Sequence, residues 1–318
     1  MNLDHQTLWL FGGMIGILTI ASIIGGILHA RITTLSRRKV VRNLNARIRA
    51  WWIMCAVFGT ALAIGRLAPV FMFAFTSFLA LREFITLTPT RQGDHRALTW
   101  AFFLILPLQY WTLASRWYGL FVVLIPVYAF LFIPIRAAIA GETERFLERT
   151  SKIQWGLMVC VYFTSYAPAL LWFLQIPGYS AENPAQNAKL LFFLVFVTQI
   201  SDVMQYVFGK LFGKHPIVPK VSPNKTIEGF VGGGLSATLL GAGLWWSTPF
   251  TFLQAAGMSA AIVVMGFCGG LVMSAIKRDR GVKDYGASIP GHGGMMDRID
   301  SLCFAAPVFF HLTRWFFT

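Results

Sequence analysis

The chain has 318 residues, of which 56% are hydrophobic and only 13% charged, with a mean hydropathy of +0.62. Soluble domains carry roughly a quarter charged residues, so this composition excludes a water-soluble globule. The formal net charge of +14 raises nucleic acid as a partner, but the order of the basic residues along the chain argues against it.

Apolar runs approaching the roughly 20 residues that cross a bilayer recur near 8–30, 51–66, 68–85, 98–115, 119–135, 154–176, 188–208, 229–247, 252–276 and 301–317. This pattern predicts an all-α fold, a polytopic transmembrane helical bundle of about 9–10 helices. The second, third and tenth runs are the weakest, being short or next to a charge. The first, Leu8 to Ala30, is longer than a signal-peptide core and is preceded by Asp4 and His5 rather than by a basic residue. It is expected to be retained as a helix.

Threading ten spans with the N-terminus outside puts segments 31–50, 82–97, 136–153, 209–228 and 277–300 on one side. These hold all of the 27 Lys and Arg residues except Arg66, Arg116, Lys189 and Arg314. Basic residues collect on the cytoplasmic side of membrane proteins, so the five segments are expected there and no nucleic-acid partner is needed. The run Arg31 to Arg49, with Arg37, Arg38, Lys39, Arg42 and Arg47 and no acid, reads as a loop that anchors topology against anionic headgroups. Cys55, Cys160, Cys268 and Cys303 lie within apolar runs without CxxC spacing, and read as small buried hydrophobes.

Two unequal regions follow: scaffold helices over 1–185 and a chemistry-bearing membrane region over 186–318. Six of the thirteen acids fall between 202 and 300. Asp202, Glu228 and Asp300 lie at ends of predicted spans, where an ionised carboxylate must be paired, hydrated or bound to metal. Asp202, Gln205, Tyr206 and Gly209 recur at helical spacing and would form one polar stripe facing the interior. Ser222-Pro223-Asn224-Lys225-Thr226 then reads as a turn opening the next helix, whose free N–H groups, with Lys225, suit a phosphate. An ordinary capped helix start is the alternative. The spacing of a phosphate-binding loop of the G-x-x-x-x-G-K-[ST] type is absent.

The segment from Ser274 to Asp300 interleaves five Lys and Arg with four Asp and five Gly. Cations for phosphates, carboxylates for a hard divalent metal, and glycines that let backbone approach both are what transfer at phosphorus requires. Taken singly, each residue has a plain structural use, as a tight turn, a helix start or a topology charge.

Ser274-x-Ile276-Lys277-Arg278-x4-Lys283-Asp284-x-Gly286-x2-Ile289-Pro290-x-His292-Gly293-Gly294-Met295-x-Asp297-Arg298-Ile299-Asp300 resembles the signature of phosphatidate cytidylyltransferases. Residues from Asp202 to Gly229 are similar to a second block of that family. The resemblance implies an integral, multi-pass membrane enzyme, in the inner membrane if bacterial, with a cytoplasmic active site. It would convert CTP and phosphatidate into CDP-diacylglycerol and pyrophosphate with Mg²⁺, with or without a monovalent cation. It further implies that Lys277, Arg278, Lys283 and Arg298 hold phosphate oxygens, that Ser222 and Lys225 form a second clamp, and that Ser274 lies with the substrate. His292, Gly293 and Gly294 would shape the nucleotide pocket, and Asp284, Asp297 and Asp300 would serve the metal. A homodimer is left open.

One departure concerns the metal. Where the family has Gly-Asp-Leu, this chain reads Gly269-Gly270-Leu271, and Asp202 is the candidate to supply the missing carboxylate. Two other readings stand beside the leading one: a cytidylyltransferase acting on another lipid phosphate, and a catalytically silent protein that binds lipid or nucleotide. A transporter fits poorly, because the charges gather at one face rather than at the midplane.

Overall fold

The computed structural model describes residues 5–31, 35–88, 90–289 and 293–318. In chain order these form α1 (His5–Arg31), α2 (Leu35–Ile64), α3 (Leu67–Thr86), α4 (Gln92–Ala114), α5 (Tyr118–Ala138), α6 (Phe146–Phe173) and α7 (Pro184–Phe212). A hairpin of β1 (Pro216–Val218) and β2 (Ser222–Thr226) follows, then α8 (Ile227–Ala242), α9 (Phe252–Asp279), the single turn α10 (Met296–Ile299) and α11 (Leu302–Phe317). The all-α expectation holds, and each predicted apolar run has its helix.

Eight of these helices, α1 to α7 and α9, are long and apolar enough to cross a membrane. The protein is an integral, multi-pass membrane protein. Helices α8 and α11 have 16 residues each, roughly 24 Å at 1.5 Å per residue and short of a bilayer core of about 30 Å. Widened turns occur at Ala101–Ile105, Leu124–Ala129 and Leu157–Phe163. They contain or closely precede Pro107, Pro126 and Pro168, residues that lack the N–H for the regular ladder.

Two expectations are corrected. Within the basic run Arg31 to Arg49, residues 35–49 are no loop, because α2 begins at Leu35 and carries their basic residues on a helix. With neither Gly nor Pro among these residues, no helix breaker interrupts α2 there. The segment Ser222 to Thr226 is a strand rather than a turn, pairing antiparallel with β1 in the register Pro216 to Thr226 and Val218 to Ser222. Only Thr226 caps α8, its Oγ1 accepting from Gly229 N at 3.1 Å.

Helices α7 and α8 approach closely because their contact is lined by glycine. A side chain on Gly229 would come within 2.9 Å of Gln205 O and 3.1 Å of Gly209 Cα, and one on Gly233 would fall on the Gln205 backbone. Gln205 lies at this contact, whereas Asp202 and Tyr206 are both exposed, Tyr206 at 59%. The expected polar stripe is therefore narrower than its spacing suggested.

The two regions share one core. Phe84 of α3 stacks on Tyr285 at 6.2 Å and 23°, and Cys160 Sγ contacts Met296 Sδ at 3.6 Å. On the face bearing the signature, the buried Arg149–Asp94 ion pair (2.9 Å) joins the starts of α6 and α4, and Arg149 also donates to Glu144 O.

Candidate active site

Helix α9 delivers Lys277 and Arg278 at its last turn, where cations oppose the negative end of the helix dipole. The chain then folds back over the bundle. Lys277 Nζ reaches Asp297 Oδ1 at 2.7 Å, with both side chains buried, and lies 5.4 Å from the Tyr285 ring centroid. The other Asp297 oxygen accepts Tyr285 N at 2.8 Å and Gly294 N at 3.0 Å. Asp297, expected among the metal ligands, thus has both oxygens engaged in tying the end of α9 to two points of the returning loop. Lys277, expected on phosphate, is its counter-ion. Arg278 is likewise occupied, donating to Val221 O at 3.2 Å and Val282 O at 3.0 Å and so joining α9 to the hairpin.

The glycines have stated reasons. Gly293 has φ +81°, and a side chain there would come within 2.9 Å of Asp297 Oδ2. At Gly294 a Cβ would approach Gly286 N to 2.8 Å and collide with Glu83. Ile289 N donates to Gly293 O at 2.9 Å. His292 lies outside the described residues.

Glu83, on scaffold helix α3, is the residue that sequence reasoning missed. Its Oε1 accepts Met295 N at 2.9 Å and the Ser288 hydroxyl, and its Oε2 accepts Met296 N at 2.9 Å. An anionic acceptor on the free N–H groups that open α10 is a favoured arrangement. Glu83 thereby holds the signature loop from outside the signature. The available signal was one acid, next to Arg82, near the end of an otherwise apolar span.

A second group lies where α7, β2, α9 and the start of α11 meet. Ser301 donates through Oγ to Asp202 Oδ1 at 3.1 Å, and its N–H donates to Asp300 Oδ1 at 2.8 Å. Lys225 Nζ lies 4.7 Å from the Phe267 ring centroid, 3.4 Å from Phe267 O, and 2.7 Å from where a Cβ on Gly270 would sit. Burial lowers the Lys225 ammonium from its ordinary range, while the Asp202 and Asp300 charges oppose that shift. Ser274 Oγ donates to Gly270 O at 2.6 Å, a bond within the helix. Glu228 closes the turn after α7, accepting Lys214 N at 3.0 Å and His215 N at 3.2 Å.

Beside this second group, Arg298, Lys283 and Asp284 are open to a ligand among the described residues. Arg298 Nε is buried without a hydrogen-bond partner among the described residues. A buried guanidinium donor left open points to a ligand. Lys283 and Asp284 are exposed, with no side-chain partner among the described residues. Ser222 stands at the start of β2, three residues from Lys225.

Magnesium keeps much of its hydration and needs only one or two carboxylates beside substrate phosphates. Asp202 and Asp300, both bound to Ser301, meet that requirement. Among the described residues no three His, Cys, Asp or Glu side chains gather around one point.

The cytidylyltransferase family profile matches residues 45–316. The chain belongs to the cytidylyltransferase family. As a member it is a nucleotidyltransferase, of the transferases of phospholipid biosynthesis. It is 40% identical over 276 residues, 86% of this chain, to the uncharacterized protein YnbB of Escherichia coli strain K12, covering 88% of that protein. It is also 41% identical over 152 residues to the phosphatidate cytidylyltransferase of Mycobacterium leprae, 46% of each chain. A phosphatidate cytidylyltransferase of Aquifex aeolicus is 41% identical over 120 residues, 38% of this chain and 45% of the relative. The matches to enzymes of that name therefore span about half of their length.

Proposed function

We propose that this cytidylyltransferase condenses CTP with phosphatidate, giving CDP-diacylglycerol and pyrophosphate. The observation that carries this reading is the meeting of Asp202, Asp300 and Ser301 with Lys225, on the same side of the bundle as Arg298 Nε, which has no partner among the described residues. Two carboxylates for a metal-bound triphosphate, and cations for the phosphates around it, are the groups this chemistry needs. The names of the Mycobacterium leprae and Aquifex aeolicus relatives supply the lipid substrate.

A phosphatidate oxygen attacks the α-phosphorus of CTP. A new P–O bond forms as the bond to the bridging oxygen of the β-phosphate breaks, and that oxygen leaves with its electrons in pyrophosphate. No protein nucleophile is required, so the side chains contribute by alignment and charge neutralisation. Arg298, Lys225 and Lys283 neutralise phosphate oxygens. Asp202 and Asp300 would hold magnesium, which supplies further neutralisation of the triphosphate when bound. Glu83 and Asp297 keep the signature loop in position.

The proposed orientation puts this face in the cytoplasm, where CTP is found and where basic residues concentrate. The deciding experiment is incorporation of radiolabelled CTP into lipid by purified protein over a panel of lipid phosphates. Labelled product with phosphatidate is expected. Product with another lipid phosphate alone reassigns the acceptor, and no product with any of them leaves a binding protein.

A further inference from the structure

Of the 27 basic residues, four lie at or toward the membrane face opposite the signature, and two of them share one aromatic ring. Arg66, between α2 and α3, places its guanidinium carbon 5.6 Å from the Trp172 ring centroid, and Arg116, between α4 and α5, places its own at 5.4 Å. Arg314 stacks on Tyr118 at 3.7 Å, two residues along from Arg116.

Two positive groups gathered on one indole repel each other, and no carboxylate pairs with either among the described residues. The cation–π contacts offset only part of that repulsion. Arg66 Nη2 donates to Pro184 O at 3.1 Å, but Arg66 Nε and Trp172 Nε1 are buried donors without a partner among the described residues. Buried N–H donors are ordinarily satisfied, so this pair calls for an acceptor. Arg116 has φ 59°, the left-handed region that a side chain disfavours, and such strain concentrates at binding sites.

We propose that Arg66 and Arg116, with the indole N–H of Trp172, bind a phosphate group at the membrane face opposite the signature. Planar guanidinium forks match phosphate oxygens, and the turns that carry them connect spans α2 to α3 and α4 to α5. The phosphate belongs either to a phospholipid headgroup or to free inorganic phosphate. This site is separate from the active site and stands independently of the substrate proposed there.

The test is native mass spectrometry and thermal unfolding of delipidated, detergent-solubilised full-length protein, with added phosphatidylglycerol or with inorganic phosphate. The wild type is compared with Arg66→Gln/Arg116→Gln, with Arg116→Gln alone, with Trp172→Phe, and with Lys220→Gln as an opposite-face control. Losing charge-assisted contacts should lower occupancy in the arginine variants by about tenfold or more, with a smaller loss in Trp172→Phe and none in Lys220→Gln. A lipid adduct lost in the arginine variants identifies a headgroup. Stabilisation by inorganic phosphate, lost in the same variants without any change in lipid adducts, identifies the free ion. Equal lipid occupancy and an equal phosphate response in wild type and Arg116→Gln, whose exposed side chain is replaced without disturbing the core, would overturn the proposal.

Discussion

The Lys225 ammonium lies 2.7 Å from the point at which a side chain on Gly270 would begin. Lys225 therefore stands in front of the position where the resemblance led us to expect a carboxylate, within the field of Asp202 and Asp300. The obstructing atom is the end of a flexible side chain, so a substitution there is sterically tolerable. Gly270→Asp is expected to fold and to add a third carboxylate beside Asp202 and Asp300. The magnesium concentration giving half-maximal rate should then fall, while Gly270→Ala leaves it unchanged. Rate against magnesium for the three proteins decides this. An unchanged magnesium profile with a raised KM for CTP would mean that the new carboxylate captures Lys225 instead.

Asp202→Ala removes one of the two carboxylates bound to Ser301. Binding of Mn²⁺ in the presence of CTP, followed by electron paramagnetic resonance, should weaken by about tenfold or more, with activity lost in parallel. Undiminished Mn²⁺ binding would remove Asp202 from the metal site.

Glu83 accepts from Met295 N, Met296 N and the Ser288 hydroxyl. Glu83→Ala should cost about 1–3 kcal/mol in unfolding free energy, the usual effect of losing charged hydrogen bonds. The rate should fall further than stability explains, by about 10²-fold, because loop displacements near 1 Å are enough to misalign reacting groups. Glu83→Gln keeps an acceptor oxygen and should retain the larger share of activity. Equal loss of kcat in both variants would indicate that the negative charge matters beyond holding the loop.

Asp297 and Asp284 should separate cleanly in a thermal unfolding experiment. Asp297→Ala strands the buried Lys277 and two backbone N–H groups, and is expected to cost about 3–5 kcal/mol. Asp284 is exposed and supports no such contact among the described residues, so Asp284→Asn should change stability by about 0.5 kcal/mol or less. Matching losses in the two variants would contradict the structural role given to Asp297.

The sequence alone determined the solvent and the helix inventory. Runs of apolar residues near bilayer length allow little except helices, since unpaired backbone groups are too costly in lipid, and Lys277, Lys283, Asp284, Arg298 and Asp300 stood out as charges crowded between two such runs. The same local reading misjudged residues 35–49 and 222–226, where charge and a proline suggested loop and turn while the chain forms helix and strand. Only the tertiary structure decided which charges are free and which are structural. Lys277 and Asp297, twenty residues apart, bond to each other, and Glu83 reaches Met295 and Met296 across more than two hundred residues. Asp202 and Asp300 come together because Gly266 and Gly269 of α9 leave room for Ser301 and Asp300 to pack against that helix and because Ser301 bonds to both. Which groups meet is set by packing between distant segments, and residue spacing along one helix or loop carries no record of it.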